Sequence, residues 1–443
     1  MLRDYSNEHW LCLDNGNFTQ QALELAKHVG KVSYFTPWVC DFPMSQDRLF
    51  GAGLEDYWDK GVGIHRCDDF WELRHKVDRV YIPDGYFADV ADVFREMKIP
   101  TTSSFYSEEL ELYRKEAKDH FASLGLPIWP AEVVYGFPNL RQYLKDHPKT
   151  WIKTDARNRG DFETTFAETY ELSETWLDKM QFELAPQKNT YKFVLEKNFD
   201  GDDDHPVIEG GTDTFCVDGD YWKKAATGIE IKGLVYLLTW GQWDKFPHEL
   251  TDFNKAIAPD MKEYGHRNWV STECRMHEEV GKGKMQVVSR QNDFAPRTGH
   301  PPNEIQLVMV KNLPDIIAYA GEGVLIEPDV PKRFGAQLNL HSTWAAESSQ
   351  KVWFPHDKKD NVRFRKLCCD DEQYFVVKRG TGNTGLGCIA VEGNSWDDCR
   401  DQIKKIAEEV KGDCIEKDLT PFDRAEEKIA ELKSIGIDLL NLE

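Results

Sequence analysis

The fold is decided by the stretch from Ser271 to Pro302, which reads STECRMHEEVGKGKMQVVSRQNDFAPRTGHPP. Its pattern predicts an antiparallel hairpin. A first strand runs from Ser271 to Glu279, a Gly-Lys-Gly turn follows at residues 281–283, and a second strand runs from Met285 to Phe294. Short loops with glycine are common between paired strands. A four-residue turn would shift the register of this hairpin and move its side chains to other partners.

Two acids and an arginine share one face of the predicted hairpin. With the three-residue turn, Glu273 lies opposite Gln291, and Asp293 is its diagonal neighbour, roughly 7–8 Å away. Arg275 follows Glu273 by two residues and therefore projects from the same face. Two carboxylates can hold Mg²⁺ and a guanidinium can steady charge on a phosphoryl group, so this face is a candidate Mg-nucleotide site. The alternative is an exposed, charged sheet face.

Composition limits the class of protein. The 443 residues suffice for two to four domains, and a hydrophobic content of 40% with 14 tryptophans supplies core material. A net charge of -22 disfavours nucleic acid or an anionic membrane as a partner. The 10 cysteines are scattered without a Cys-x-x-Cys pair, which predicts reduced thiols in the cytoplasm. The polar start of the chain predicts no secretory signal, and the apolar runs are too short to span a bilayer.

The first hundred residues alternate strand and helix patterns. A strand at Trp10–Leu13, a helix at residues 18–28 and a strand at residues 32–35 predict a parallel sheet. The loop after the first strand holds a single glycine and is not a dinucleotide fingerprint. Ligands of such sheets bind at the carboxyl ends of the strands, where Asp14 and Asp84 stand, although both are also typical turn residues.

The middle and the end of the chain predict further elements. Single helices are expected at residues 107–124 and 303–320. Lys153 lies inside an apolar strand, where a lysine is costly unless it meets an anion. The loop after it, at residues 155–165, is a candidate cationic flap or simply a solvated loop. Short strands and two helices after residue 325 predict a small α+β domain.

Several of these segments together resemble the ATP-grasp superfamily. The helix with Arg114 and Lys118, ending in Gly-Leu-Pro, is similar to the family's K…G(I/V)P segment. WIKTD and FVLEKNFDG are similar to its VVKP and VEEFLDG strands, and STECR and DFAPR to its last two grasp strands. Within the superfamily, the order looks most like the phosphoribosylamine–glycine ligases (glycinamide ribonucleotide synthetases) and the biotin-carboxylase-type enzymes.

The resemblance implies a fold. It is an α/β and α+β chain with an ATP-grasp fold, an N-terminal Rossmann-like pre-grasp domain and a C-terminal α+β domain. The expected domains are residues 1–105, residues 106–325 with a lid lobe at about 126–192, and residues 326–443.

The resemblance also implies roles for individual residues. Glu273 and Asp293 would carry Mg²⁺, with Mn²⁺ as an alternative, and Arg275 and Arg297 would be catalytic, near the phosphates or the substrate. The residues implied to bind ATP are Arg114, Lys118, Lys153, Arg159, Gly160, Glu196, Lys197, Asn198 and Glu209. Two departures stand out: the flap has Gly160 as its one glycine, and Ala295 replaces the usual metal-proximal asparagine, so the shell of the second metal is either incomplete or rebuilt by Asn292.

The implied function is an ATP-dependent carboxylate–amine or carboxylate–thiol ligase that works through an acylphosphate. Its partners would be small-molecule carboxylate and amine substrates, and the chain would be a monomer or a homodimer. The two departures motivate an alternative, a nucleotide-binding or inactive ATP-grasp protein with a regulatory or assembly role. A carboxylase that forms carboxyphosphate from bicarbonate is a third possibility, and the sequence does not identify the acyl or amine substrate.

Overall fold

The computed structural model describes residues 3–37, 48–154, 164–198, 207–281, 284–346, 348–377 and 385–442. No helix within these ranges is long and apolar enough to cross a membrane. The described cysteines are free thiols.

The first sheet is parallel, as the alternating pattern predicts. Its elements are β1 (Tyr5–Leu13), α1 (Thr19–Leu25), β2 (Val29–Phe35), β3 (Ile64–Arg66), β4 (Arg79–Tyr81), α2 (Ala88–Glu96) and β5 (Thr101–Thr102). The strand order is β3-β2-β1-β4-β5, which places β1 at the centre. Asp14 follows β1, and its carboxylate accepts hydrogen bonds from the backbone N–H of Asn17 and Phe18 and from the Tyr34 hydroxyl. It therefore closes the turn into α1, the role of a typical turn residue.

The long helix expected at residues 107–124 is wrong, because the structure breaks it into two. α3 (Glu109–Leu112) and α4 (Arg114–Ser123) are separated at Tyr113, whose φ of -104° and ψ of 74° are not helical. The break lets Leu110 of α3 and Phe121 of α4 pack in one cluster with Phe294. Packing of apolar side chains outweighs the local helix preference here.

A smaller antiparallel sheet forms the next lobe. Its elements are β6 (Glu132–Tyr135), α5 (Phe137–Asp146), β7 (Thr150–Thr154), β8 (Thr164–Ala167), α6 (Tyr170–Glu183) and β9 (Lys192–Lys197). The strand order is β6-β9-β7-β8, and α5 and α6 cover one face around Leu140, Ile152 and Leu177. The other face of β7 and β9 is left to carry polar side chains, because side chains alternate along a strand.

The largest sheet is assembled from two separate parts of the chain. The first part supplies β10 (Ile208–Gly210), β11 (Thr212–Val217), β12 (Asp220–Tyr221), β13 (Lys224–Ile231), β14 (Val235–Gln242), α7 (His248–Glu263), β15 (Arg267–Gly281), β16 (Lys284–Ala295), α8 (Asn303–Met309) and α9 (Leu313–Gly321). The single helix expected at residues 303–320 is wrong, because Val310 is extended and a new helix begins at Leu313, with Pro314 in its first turn. Proline cannot supply the backbone donor that a helix interior needs, so Pro314 favours the first turn of a helix.

The second part completes this sheet and adds a smaller one. It contains β17 (Phe334–Ser342), β18 (Gln350–Trp353), β19 (Val362–Phe364), β20 (Leu367–Asp370), β21 (Gln373–Val376), β22 (Gly385–Gly393), α10 (Trp396–Glu409), β23 (Lys411–Gly412), β24 (Ile415–Glu416) and α11 (Pro421–Ser434). The main path of the large sheet is β10-β15-β11-β13-β14-β17-β22-β19, and β16 pairs with β15. Because β14 pairs directly with β17, strands on both sides of residue 325 share one sheet and one core.

Candidate active site

Glu273 and Asp293 stand directly opposite each other on β15 and β16. The predicted diagonal placement is wrong for two reasons. Gly281 pairs with Lys284, so the register differs from that of a three-residue turn, and a bulge shifts it again between Glu273 and Cys274. Directly opposed side chains have Cβ atoms roughly 4.5–5.5 Å apart, closer than diagonal ones. The two carboxylates are therefore nearer neighbours than the sequence predicts.

Asn292 is the extra residue in the bulge. Cys274 pairs with Gln291 and Glu273 pairs with Asp293, so Asn292 faces no partner residue. Its side-chain amide Nδ2 donates a hydrogen bond to Glu273 Oε1 at 2.5 Å. A bulge re-aims side chains at the strand position where it occurs. Asn292 thereby supports the carboxylate pair, close to the place where Ala295 leaves no side-chain ligand.

Three cations reach the carboxylate pair from three different elements. Arg114, the first residue of α4, donates from Nη1 to Asp293 Oδ2 at 3.2 Å, and Lys153 Nζ on β7 is 4.0 Å from the same oxygen. Lys232 Nζ is 3.6 Å from Glu273 Oε2, and this carboxylate raises the pKa of Lys232. Both lobes therefore contribute positive charge to one crevice that already holds two acids.

Glu196 joins two of the predicted nucleotide lysines. Its Oε1 is 3.2 Å from Lys118 Nζ, and its Oε2 is 3.2 Å from Lys153 Nζ. All three side chains are buried, and burial lowers the pKa of Lys118 although Glu196 opposes this change. Lys118 Nζ also donates to the backbone oxygens of Trp129 and Asn292. These contacts fix the two lysine side chains in the crevice.

The segment after Glu196 is held by two tryptophans. The indole N–H of Trp129 donates to the Lys197 backbone oxygen at 3.1 Å, and that of Trp151 donates to Asn198 Oδ1 at 2.9 Å. The Asn198 backbone N–H donates to the Lys149 oxygen at 2.8 Å. This segment connects the smaller lobe to the strand β10 of the large sheet, so it lies where a hinge between the lobes is expected.

Glu209 and Arg275 extend the same face towards that hinge. They are paired residues on β10 and β15, and Arg275 Nη2 is 3.7 Å from Glu209 Oε2. Burial and the neighbouring Glu273 carboxylate raise the pKa of Glu209 to about 7. The Arg275 guanidinium lies 5.9 Å from the centre of the Trp129 ring. A carboxyl, a guanidinium and an indole thus line the surface between the acid pair and residues 197–198.

Arg297 lies at the junction with the first sheet. It donates from Nε and Nη2 to the two oxygens of Glu111 at 3.2 and 2.8 Å, and its Nε is 3.9 Å from Asp84 Oδ1. Burial raises the pKa of Asp84 to about 7, although Arg297 lowers it. Asp84 follows β4, so the carboxyl end of the parallel sheet lies beside Arg297, which comes just after β16. The structure places Arg297 in a bidentate ion pair, and its catalytic role stays a prediction.

The carboxylates of Glu273 and Asp293 suit a metal cation whose remaining ligands are phosphate and water oxygens. Among the described residues, no group of three or more His, Cys, Asp or Glu side chains is arranged to hold a metal ion. Mg²⁺ is usually bound through one or two carboxylates together with substrate phosphates and water. The opposed carboxylates of Glu273 and Asp293, with cations beside them for phosphate oxygens, fit this pattern. The flap residues Arg159 and Gly160 lie outside the described residues.

Sequence reasoning missed Lys232. It stands in the turn between β13 and β14, where Gly233 has a φ of 71° and donates its backbone N–H to Glu230 Oε1 at 2.9 Å. This turn aims Lys232 across the face at Glu273. The signal in the sequence is the alternation of Glu230 and Lys232 with Ile231, which places both charges on one side of the strand end. Glu273 lies on β15, which joins this part of the sheet through β11 and is distant from Lys232 in the sequence, so the target of Lys232 is not visible locally.

Comparisons with known proteins identify the fold. No family model and no curated protein sequence matches the chain. Solved structures do match it. Phosphoribosylamine–glycine ligase from Thermotoga maritima has a TM-score of 0.63 at 12% identity over 92% of this chain and 98% of its own. Biotin carboxylase from Campylobacter jejuni has a TM-score of 0.60 at 13% identity, with 98% of each chain covered.

A third similar structure has a lower score. N5-carboxyaminoimidazole ribonucleotide synthetase from Thermus thermophilus has a TM-score of 0.51 at 13% identity over 90% of this chain and 98% of its own. All three are ATP-grasp enzymes, and the likeness extends over nearly the whole of each structure. At these identities the likeness concerns the fold. From its parallel first sheet to its last strands, this chain has the ATP-grasp fold.

Proposed function

We propose that this protein is an ATP-dependent ligase that joins a carboxylate to an amine or a thiol through an acylphosphate. One observation carries the proposal. Lys153 of the smaller lobe, Arg114 of α4 and Lys232 of the large sheet converge on the opposed carboxylates of Glu273 and Asp293. Cations from separate lobes around two acids are what a magnesium–triphosphate needs. The named solved structures support the same kind of chemistry, because two of them are a ligase and a synthetase.

The nucleotide would lie between the two lobes. Its base would bind at Lys197 and Asn198, where the backbone follows the buried Glu196. Its ribose would face Glu209, and its phosphates would meet Lys118, Lys153 and Arg114. This order follows the spacing of the side chains from the segment at residues 197–198 to the acid pair. Arg159 and Gly160 would belong to a flap that excludes water from the acylphosphate.

The chemical step needs charge at fixed positions. A carboxylate oxygen of the acyl substrate would attack the γ-phosphorus of ATP, and the bond from this phosphorus to the β,γ-bridging oxygen would break to release ADP. An amine or thiol would then attack the acyl carbon and release phosphate. Mg²⁺ bound to Glu273 and Asp293 would neutralise phosphate oxygens. Lys153 and Arg114 would stabilise the transferring group, with Arg275 along the same face and Arg297 towards the substrate.

The other parts of the proposal concern organisation. We assign residues 1–105 to a pre-grasp domain, residues 106–325 to the grasp and residues 326–443 to a closing α+β domain that extends the large sheet. We place the protein in the cytoplasm, as a monomer or a homodimer that acts on small molecules and not on nucleic acid or membranes.

A release assay tests the function. The wild-type protein is incubated with Mg-ATP and a panel of amino acids and small carboxylates, each paired with amines or thiols, and ADP is measured. We expect ADP release that requires both an acyl and an acceptor compound. Mg-ATP binding by calorimetry is measured in parallel. Binding without ADP release across the panel would favour a nucleotide-binding regulatory protein, and the absence of binding would contradict the nucleotide site itself.

A further inference from the structure

Arg275 and Arg290 are directly opposed on β15 and β16. Like charges in opposed positions of an antiparallel pair are destabilising. They lie on the same face as Glu273, because Arg275 follows it by two residues and Arg290 pairs with Arg275. Two residues along a strand span roughly 7 Å. The hairpin thus carries an opposed pair of acids, Glu273 and Asp293. Two residues further along β15 it carries an opposed pair of arginines, Arg275 and Arg290.

Only one of these arginines has its charge closely matched. Arg290 Nη2 donates to Glu279 Oε1 at 2.6 Å, and Glu279 also meets His277. Arg275 is different: its contacts within the described part of the chain are the 3.7 Å ion pair with Glu209 and the Trp129 ring. Its Nε is buried and has no hydrogen-bond partner. A buried donor without a partner costs free energy unless a ligand or water satisfies it.

The alternative is that Arg275 pairs only with Glu209 and Arg290 pairs only with Glu279. A distance of 3.7 Å is too long for a hydrogen bond, so Glu209 does not satisfy the Arg275 donors. A bound anion would meet both guanidinium groups at once, remove their repulsion and take up the free donors. Planar guanidinium groups are well suited to phosphate and carboxylate oxygens.

The position of the pair indicates which part of a ligand it would meet. Arg275 lies against Trp129, whose indole N–H is bonded to Lys197 O in the hinge segment. The pair therefore lies on the hinge side of the acid pair. This inference rests on the proposed nucleotide site. We propose that Arg275 and Arg290 form an anion-binding site for a phosphate or carboxylate group. The favoured source of this group is the α-phosphate of the nucleotide, and the other source is the anionic group of the acyl substrate.

Binding experiments without Mg²⁺ test the arginine site separately from the carboxylates of Glu273 and Asp293. Calorimetry compares AMP and adenosine with the wild-type protein, Arg275→Gln and Arg290→Gln in the absence of Mg²⁺, and inorganic phosphate is tested by thermal shift. Arg141→Gln is the matched control, since Arg141 is an arginine ion-paired to Asp178 on the surface of the smaller lobe. We expect AMP to bind wild type and Arg141→Gln on the order of tenfold or more tighter than adenosine. Either site variant should lose this difference.

The outcomes distinguish the α-phosphate from the anion of the acyl substrate, and they distinguish the arginine site from the proposed ligase function. Equal affinities for AMP and adenosine, with a phosphate-dependent rise in Tm that both site variants lose, would assign the site to the acyl substrate's anion. A preference for AMP that both site variants retain would overturn the site, as would the absence of any phosphate or AMP effect in wild type. Wild type that fails to bind Mg-ATP but shows the phosphate effect would contradict the proposed function and keep the anion site.

Discussion

Lys153 Nζ and Glu196 Oε2 are 3.2 Å apart on neighbouring strands of the smaller lobe. Both side chains are buried, and Glu196 also meets Lys118. A lysine in an apolar strand is costly unless it meets an anion, and here one carboxylate serves two lysines. Because a single carboxylate is shared by two lysines, a phosphate group bound in the crevice has a lysine with which to pair.

The first prediction concerns Lys153→Ala. Because Lys153 supplies fixed charge beside Asp293, we expect the variant to lose Mg-ATP-dependent ADP release by about 100-fold or more. Its fold should persist, since Lys118 still accompanies Glu196. Lys179→Ala, on the surface helix α6 of the same lobe, is the control. Undiminished turnover in Lys153→Ala, with both variants showing wild-type thermal unfolding, would remove Lys153 from the site.

Local signals predicted much of this arrangement. Alternation predicts the first hairpin strand, the glycine-containing turn predicts that a second strand follows, and Lys153 is a candidate because a charged residue interrupts an apolar strand. The position of Asp293 opposite Glu273 was not predictable, because a single extra residue, Asn292, changes the register and nothing in the local pattern marks it. The break at Tyr113 was missed for a related reason: it is favoured by contacts with Phe294, which is distant in the sequence.

The second prediction concerns Asn292→Ala. The variant loses the hydrogen bond that orients Glu273 but keeps both carboxylates. Loss of such a supporting contact typically weakens metal affinity by about 10–100-fold. We expect weaker Mn²⁺ binding in the presence of ADP, measured by electron paramagnetic resonance. Gln286→Ala, exposed on the same strand, is the control, and equal Mn²⁺ affinity in the two variants would show that Asn292 does not support the metal pair.

The third prediction concerns the pH dependence of stability through Asp213. Burial raises the pKa of Asp213 to about 7, although hydrogen bonds with Ser271 and Tyr236 lower it. The unfolded carboxyl has a pKa of about 3.9. Between these values the folded state binds the extra proton, so stability falls as pH rises from about 4 to 7 and then levels off. The shift of about three units corresponds to a loss of up to about 4 kcal/mol.

Asp213→Asn should remove this slope. The amide cannot ionise and can still hydrogen-bond to Tyr236 and Ser271, so the variant should gain free energy of unfolding relative to wild type as the pH rises from 5 to 8. Urea unfolding at both pH values measures the difference. Parallel pH profiles for the two proteins would contradict a raised pKa at Asp213.

The fourth prediction concerns a buried ion pair between α8 and the segment after β19. Arg365 donates from Nε and Nη2 to the two oxygens of Glu304 at 2.5 and 2.9 Å, and Glu304 is fully buried. Removing one partner of such a pair leaves an uncompensated buried charge, which costs about 3–5 kcal/mol. Glu304→Gln and Arg365→Met should each lower the free energy of unfolding by about this amount in urea titrations.

The double variant separates charge from packing. Replacing both members of a buried ion pair by apolar residues is often nearly neutral, because no charge is left buried alone. Arg365→Met combined with Glu304→Leu should therefore be more stable than either single variant. His300 lies beside this pair, and burial together with Arg365 lowers its pKa to about 3, so it contributes no counter-charge near neutral pH. If the losses of the two single variants simply added in the double variant, the pair would be a packing contact and not an electrostatic one.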